Sequence, residues 1–152
     1  MFLFMLVAAF FIGLVAYNHF RFWQAEKEFP PKGRFVTVDG VQFHYLQKGT
    51  GQPVVFLHGG ILTANDFELV MNQIAKLGYQ AIALDRPGYG YSGRPYLKMT
   101  PTEQAKWIHR VLKKLGIQKP ILVGHSWSGL LVLSYARIYP DDLSGIVLLG
   151  GA

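Results

Sequence analysis

Cysteine is absent from the chain. Its absence excludes disulfide bonds and metal sites with thiolate ligands, and it leaves the cellular compartment open. The 15 basic residues outnumber the 9 acidic ones, but they are dispersed, and only Lys113 and Lys114 are adjacent. Because no basic stripe is present, no nucleic-acid partner is expected. No cofactor and no metal are expected either.

Charge and proline are missing from residues 2–17, which form one apolar run. As a helix rising about 1.5 Å per residue, this run falls slightly short of a bilayer core, which needs about 20 residues. Residues 18–20 extend it to the interface, and Arg-Phe-Trp at 21–23 is typical of an anchoring belt. We therefore expect a single-pass transmembrane anchor over residues 1–20, with residues 2–20 in contact with the membrane.

Two other interpretations of this run stay open, a cleaved signal peptide and a buried core helix. A signal peptide would need a basic start and a small-x-small cleavage site, whereas Phe2 follows Met1 directly and Val15-Ala16-Tyr17-Asn18 is a poor site. The side of the membrane also stays open, although basic residues after the run slightly favour a cytoplasmic domain. These residues are Arg21, Lys27, Lys32 and Arg34.

A polar stretch at 21–34, which contains Pro30-Pro31, is expected to be a short spacer, and residues 35–152 are expected to form the folded core. The core begins with an antiparallel hairpin, since two alternating runs flank the turn residues Asp39-Gly40. Buried strands then alternate with helices, which predicts an α/β class with a mostly parallel sheet and helices on both faces. The predicted strands are 54–57, 81–84, 121–123 and 145–149, and the predicted helices are 64–77, 100–115 and 127–139.

The turn between the strand at 121–123 and the following helix carries one serine, Ser126, between small residues. A sharp strand-to-helix turn lifts this hydroxyl out of the sheet and leaves the Trp127 N–H at a helix N-terminus, where negative charge is favoured. Small residues are needed on either side because the backbone passes close to its neighbours. Gly124 meets that need, and Ser128 departs from the usual Gly-x-Ser-x-Gly pattern, since the glycine comes one place later.

Two further motifs follow predicted strands, His58-Gly59-Gly60 and the stretch at 85–92, Asp-Arg-Pro-Gly-Tyr-Gly-Tyr-Ser. All three special loops therefore lie at the carboxyl ends of strands, the edge where ligands bind in open α/β sheets. In this order, and with the hairpin before them, the motifs resemble the N-terminal half of an α/β-hydrolase fold protein. The resemblance extends from about Phe35 to the end of the chain.

The resemblance implies a nucleophile at Ser126 and an oxyanion hole made by the backbone N–H groups of Trp127 and Gly60. Because the turn carries serine and not aspartate, it argues against the haloalkane dehalogenase and epoxide hydrolase branches. Together with the expected anchor, the resemblance favours a membrane-anchored serine hydrolase acting on a small-molecule ester, thioester, amide or related acyl substrate. The alternatives are a non-catalytic binding protein of the same fold, a transferase and a cofactor-free peroxidase.

The other conspicuous residues are expected to be structural. His125 is expected to pack rather than act as a base, and His58 to support its loop. Asp85 and Arg86 are expected to order the glycine-rich loop through hydrogen bonds and an ion pair. The aromatic residues Tyr89, Tyr91 and Trp127 fit either a pocket lining or packing. His44 and His109 have no neighbour at metal-ligand spacing.

The triad acid and histidine that the family places after the nucleophile are not present in this chain. Only 26 residues follow Ser126, and none is histidine, while Asp141 and Asp142 precede the last strand, where the family does not place its acid. The apolar strand at 145–149 also has no predicted neighbour to cover it. We therefore expect that this sequence is a fragment of a longer protein and holds only the N-terminal part of the core. A pseudoenzyme and a split protein completed by a second chain are the alternatives.

Overall fold

The fold is known from a computed structural model, which describes residues 1–95 and 99–150. The chain divides into two compact units, residues 1–32 and residues 33–152. The first unit contains the helix α1, Phe2–Glu28, in which no residue is buried. Because α1 ends at Glu28, it continues beyond residue 20 into the stretch that was expected to be a spacer. It is the one helix of the described chain that is long and apolar enough to cross a membrane, a property that signal sequences and core helices share.

The second unit is built on a six-stranded sheet of order β1-β2-β4-β3-β5-β6. The strands are β1 Arg34–Val38, β2 Val41–Lys48, β3 Gln52–Leu57, β4 Tyr79–Leu84, β5 Ile121–His125 and β6 Gly145–Leu149. Pairing is antiparallel between β1 and β2 and between β2 and β4, and parallel for the other three pairs. The predicted α/β class, mostly parallel sheet and N-terminal antiparallel hairpin are confirmed.

Helices cover both faces of this sheet. They are α2 Glu68–Lys76, α3 Pro101–Lys114 and α4 Ser128–Ile138, and a 3-10 turn, Ala64–Phe67, precedes α2. Val55 and Leu57 of β3 face the core formed with α3 and α4, whereas Val54 and Phe56 face the core formed with the turn and α2. This alternation explains why β3 is apolar at every one of these positions, since both of its faces are buried.

The ends of the elements follow local chemistry. Asp39 and Gly40 have φ of 47° and 77°, the left-handed pair that a two-residue hairpin turn requires. Thr100 caps α3 by accepting from the Glu103 N–H, while the Glu103 carboxylate binds Lys106 at 2.8 Å. The strand β6 pairs with β5, and residues 146–149 are 38 to 45% exposed, since no strand among the described residues pairs with its other edge.

The parallel register brings three loops to one edge of the sheet. Leu57 lies opposite Leu84 on one side and opposite Gly124 on the other. The residues that follow these three strands therefore begin side by side at their carboxyl ends. The loop at 58–60, the loop at 85–92 and the turn at Ser126 share this edge.

Candidate active site

Ser126 occupies a strained turn between β5 and α4. Its φ is 51°, a left-handed conformation that is uncommon for residues other than glycine and that clusters at functional sites. Its N–H donates to the Leu149 carbonyl at 2.8 Å, and its carbonyl accepts from the Gly129 N–H at 2.8 Å. The side chain is half-buried. The backbone therefore holds the serine at both ends and leaves its hydroxyl near the surface.

Gly124 is needed for this turn because a side chain has no room there. A Cβ on Gly124 would lie 2.5 Å from the Ser128 carbonyl oxygen and 2.8 Å from Val132 Cγ2. The predicted requirement for a small residue two places before the serine is therefore met for a steric reason.

Ser128 does more than fill the place of the usual glycine. It is fully buried, and its hydroxyl donates a short hydrogen bond to the carbonyl oxygen of His58, which is also fully buried. The bond joins the first turn of α4 to the loop at 58–60. The local sequence pattern gives no sign of this partner, because Ser128 and His58 are 70 positions apart.

Replacing Ser128 with alanine is expected to lower the free energy of unfolding by about 1 to 3 kcal/mol, since the buried His58 carbonyl loses its donor. Ser128→Gly should lose at least as much, because glycine also loosens the first turn of α4. Urea or thermal unfolding of the full-length protein measures both. Ser134→Ala, on the same helix, is the control and should change stability by no more than about 0.5 kcal/mol. Equal effects at 128 and 134 would show that the bond contributes nothing.

The two expected oxyanion donors lie next to the hydrogen bond between Ser128 and His58. The Trp127 N–H precedes α4, where the helix dipole favours negative charge, and the exposed Gly60 has no atom within 4 Å of an added Cβ. In residues 1–95 and 99–150, no protein acceptor takes the backbone N–H of either residue. A Cβ on Gly59 would lie 3.3 Å from Ser126 Cβ, so the loop passes directly beside the serine.

His58 supports its loop and has both ring nitrogens engaged. Its Nε2 accepts from the Arg86 N–H at 3.0 Å, so the proton lies on Nδ1, which is 2.9 Å from the Gly59 carbonyl oxygen. Burial lowers the pKa of His58, and the Arg86 charge lowers it further. The ring is held in place and has no free nitrogen with which to act as a base.

Asp85 is buried, but its partner is not the one expected. Its carboxylate lies 2.8 Å from His44 Nδ1 and accepts the N–H groups of Ala64 at 2.7 Å and Tyr91 at 3.0 Å. Burial alone would raise the pKa of Asp85, but these hydrogen bonds outweigh it and leave the pKa below its usual value. The expected ion pair between Asp85 and Arg86 is therefore wrong: antiparallel pairing of β2 and β4 brings His44 to the carboxylate instead.

Arg86 makes other contacts. Its side chain is 1% exposed, donates to Gln104 Oε1 at 3.0 Å and to the Gly59 carbonyl oxygen at 2.8 Å, and lies against the rings of Tyr89 and Trp127. Tyr91 packs its edge against His44. Tyr89 and Trp127 therefore pack on Arg86, and Tyr91 packs on His44 of β2.

The remaining candidates have ordinary structural contacts. His125 is half-buried, and its Nδ1 has no hydrogen-bond partner in the described part of the chain. His109 stacks on Tyr139 with ring centroids 3.8 Å apart, and burial lowers its pKa. Asp142 binds Lys113 at 3.1 Å on the surface. Neither Asp142 nor His109 is placed at the edge of the sheet that carries Ser126.

Comparisons with known proteins agree with this geometry. A family model described as alpha/beta hydrolase fold matches residues 52–152. A 2-hydroxy-6-oxo-6-(2'-aminophenyl)hexa-2,4-dienoic acid hydrolase of Metapseudomonas resinovorans is 32% identical over 122 residues, covering 78% of this chain and 42% of that protein. An epoxide hydrolase of Caballeronia sordidicola is 33% identical over 113 residues, covering 73% of this chain and 34% of that protein.

A solved structure shares this fold over most of the chain. The esterase EaEST from Exiguobacterium antarcticum superimposes with a TM-score of 0.72 at 34% identity, covering 79% of this chain and 46% of that one. The chain thus spans less than half of the length of the proteins that it matches.

Proposed function

Because the chain belongs to the α/β-hydrolase fold family of enzymes, we propose that the protein is a membrane-anchored serine hydrolase. Ser126 is the nucleophile, and the N–H groups of Trp127 and Gly60 form the oxyanion hole. The substrate is a small-molecule ester, thioester, amide or related acyl compound.

The observation that carries this proposal is the strained Ser126 beside two backbone N–H groups that no described residue accepts. Attack on an acyl carbon moves charge onto the carbonyl oxygen, and donors aimed at that oxygen are worth about 3 kcal/mol each. The related proteins catalyse different reactions, and one is an epoxide hydrolase. A serine at position 126 favours acyl transfer, because a serine alkoxide attacks an acyl carbon to give a tetrahedral intermediate.

Activation of the serine needs a general base, and we propose that it lies outside residues 1–152. The sequence after Ser126 holds no histidine. His58 has both nitrogens engaged, and His44 is buried against Asp85. The greater length of the matched proteins leaves room for an acid and a histidine beyond this part of the fold.

A fluorophosphonate probe tests the proposal, because it reacts with activated serines and not with ordinary ones. The full-length protein in its own membranes should be labelled within minutes, and an excess of unlabelled inhibitor should prevent the labelling. A full-length protein that is folded and stays unlabelled would instead be a binding protein of this fold.

The proposed anchor is α1, of which residues 2–20 would span the bilayer. About 20 residues of helix cover the hydrocarbon core. The belt that follows includes Trp23, with the Lys27 ammonium 3.8 Å from the centre of its ring, and Arg21, which donates to Tyr17 at 3.2 Å. Such aromatic and basic pairs are typical of the membrane interface.

Membrane attachment predicts that the full-length protein sediments with membranes, resists extraction by alkaline carbonate and is released by detergent. Phe11→Arg with Ile12→Arg places two charges at the centre of the span, each costing about 3 kcal/mol, and should move most of the protein to the soluble fraction. Gln24→Arg, beyond the span, is the control and should leave it in the membrane. A mature protein that begins after residue 20 would identify a cleaved signal peptide instead.

A further inference from the structure

Arg86 is a buried cation that has no carboxylate partner in the described part of the chain. It is 1% exposed, and among the ion pairs of the described residues none includes it. Removing an unpaired charge from water costs several kcal/mol, so its retention needs a reason. Its charge is met by the faces of two rings, with the guanidinium carbon 4.2 Å from the centre of Tyr89 and 4.6 Å from that of Trp127.

The guanidinium also holds one particular peptide group. Arg86 donates to the Gly59 carbonyl oxygen at 2.8 Å, and His58 Nδ1 lies 2.9 Å from the same oxygen. In a planar trans peptide the N–H points opposite to the C=O. The N–H of this peptide belongs to Gly60. Nothing lies within 4 Å of an added Cβ at Gly60. The peptide is therefore held in place by the hydrogen bonds to its carbonyl oxygen.

We propose that Arg86 is a positioning residue for the oxyanion hole, which it aligns and polarises through the Gly59–Gly60 peptide. The inference rests on the proposed function, in which Gly60 N–H is a donor. A charged donor on the carbonyl pulls electron density from the amide, which strengthens the N–H as a donor in turn. The same guanidinium packs on Trp127, whose N–H is the second donor. Arg86 thus contacts both residues that position the donors, Gly59 through a hydrogen bond and Trp127 through its ring.

Gln104 completes this support from α3. Its Oε1 accepts from Arg86 at 3.0 Å, its own amide donates to the Met99 carbonyl at 3.1 Å, and it is 3% exposed. It fixes the direction of the guanidinium without neutralising the charge. A lysine at position 86 would keep the charge, but it could not bind Gln104 and Gly59 through a planar fork while stacking on two rings.

The test compares oxygen esters with thionoesters of the same acid and alcohol in the full-length enzyme. The oxyanion hole favours the oxygen ester, because N–H groups bind a developing O⁻ better than the larger S⁻. Arg86→Lys should lower kcat for the oxygen ester by about 10- to 100-fold with KM nearly unchanged, and the oxygen-to-sulfur rate ratio should fall by a similar factor. A role confined to stability would lower both rates together.

Gln104→Ala provides the second variant, since it loosens Arg86 without removing it. It should reduce the same ratio by a smaller factor, about 3- to 10-fold, and it decides the question if Arg86→Lys does not fold. The control is Arg110→Lys, because Arg110 also lies over a tryptophan, 4.0 Å from the ring of Trp107, but pairs with the surface residue Asp39. The oxygen-to-sulfur rate ratio of Arg110→Lys should equal that of the wild type.

The outcomes separate this inference from the proposed function. A wild-type enzyme that reacts with the fluorophosphonate, together with folded variants whose rate ratio is unchanged, would overturn the role of Arg86 alone. A folded full-length wild type that neither reacts with the probe nor hydrolyses either ester would overturn both.

Discussion

Replacing Ser126 with alanine is expected to reduce ester hydrolysis by the full-length protein at least about 10⁴-fold in kcat. The hydroxyl is the proposed nucleophile, and enzymes of this kind lose nearly all of their rate when it is removed. Binding should survive, because the change removes one oxygen and leaves the surroundings in place. Steady-state kinetics on an activated ester, with substrate binding measured separately, test both parts.

A matched control is available on the neighbouring helix. Ser134→Ala removes a hydroxyl from a half-buried serine of α4 and should leave kcat within a factor of two. Retention of full activity by Ser126→Ala, with Ser134→Ala unchanged, would show that the reaction uses another nucleophile.

Replacing Asp85 with alanine is expected to cost about 3 to 5 kcal/mol of folding free energy. The change leaves His44 Nδ1 and the N–H groups of Ala64 and Tyr91 without their acceptor in a buried site. The loop at 85–92 should loosen as well, since the backbone of Gly90 packs directly against this carboxylate. Denaturant unfolding of the full-length protein measures the loss.

The pH dependence of the folding free energy gives a more specific test of the role of Asp85. The pKa of Asp85 is lowered in the fold, so its contribution is complete above the ordinary carboxyl pKa of about 3.9 and disappears as the pH falls through the lower, folded value. The pKa values of His58 and His109 are also lowered, chiefly by burial, so the folding free energy should begin to fall earlier, below about pH 6.5. In Asp85→Ala, the loss of folding free energy below about pH 4 should disappear, whereas the loss that begins near pH 6.5 should remain.

Asp142→Ala serves as the control for Asp85. Asp142 binds Lys113 at 3.1 Å, but both side chains are exposed to solvent, at 38% and 55%. Such pairs contribute about 1 kcal/mol or less. Similar losses at positions 85 and 142 would contradict the account of Asp85 as the centre of a buried network.

The strands and the turn at Ser126 could be predicted from sequence because their signals are local. Asp39-Gly40 predicted a hairpin turn, and both residues have the positive φ that it needs. The helix predicted over residues 100–115 forms, and Thr100 caps its first turn. The small residue before the serine followed from the geometry of the turn, and the clash at Gly124 gives its reason.

The contacts that join the loops could not be predicted in this way. His44 and Asp85 are 41 residues apart, and no spacing rule connects them until β2 pairs with β4. Adjacency in sequence suggested an ion pair between Asp85 and Arg86, but the two side chains point to different partners. Ser128 looked like a neutral substitute for glycine, whereas its hydroxyl binds a carbonyl on another strand's loop. Each of these depends on a tertiary contact.

The most direct test of the central claim is the position of the covalent adduct. The full-length protein should be treated with a fluorophosphonate, digested and mapped by mass spectrometry. We predict one adduct, on Ser126, which disappears in Ser126→Ala and persists in Ser134→Ala. An adduct on another residue, or none on a folded full-length protein, would contradict the assignment of Ser126 as an activated nucleophile.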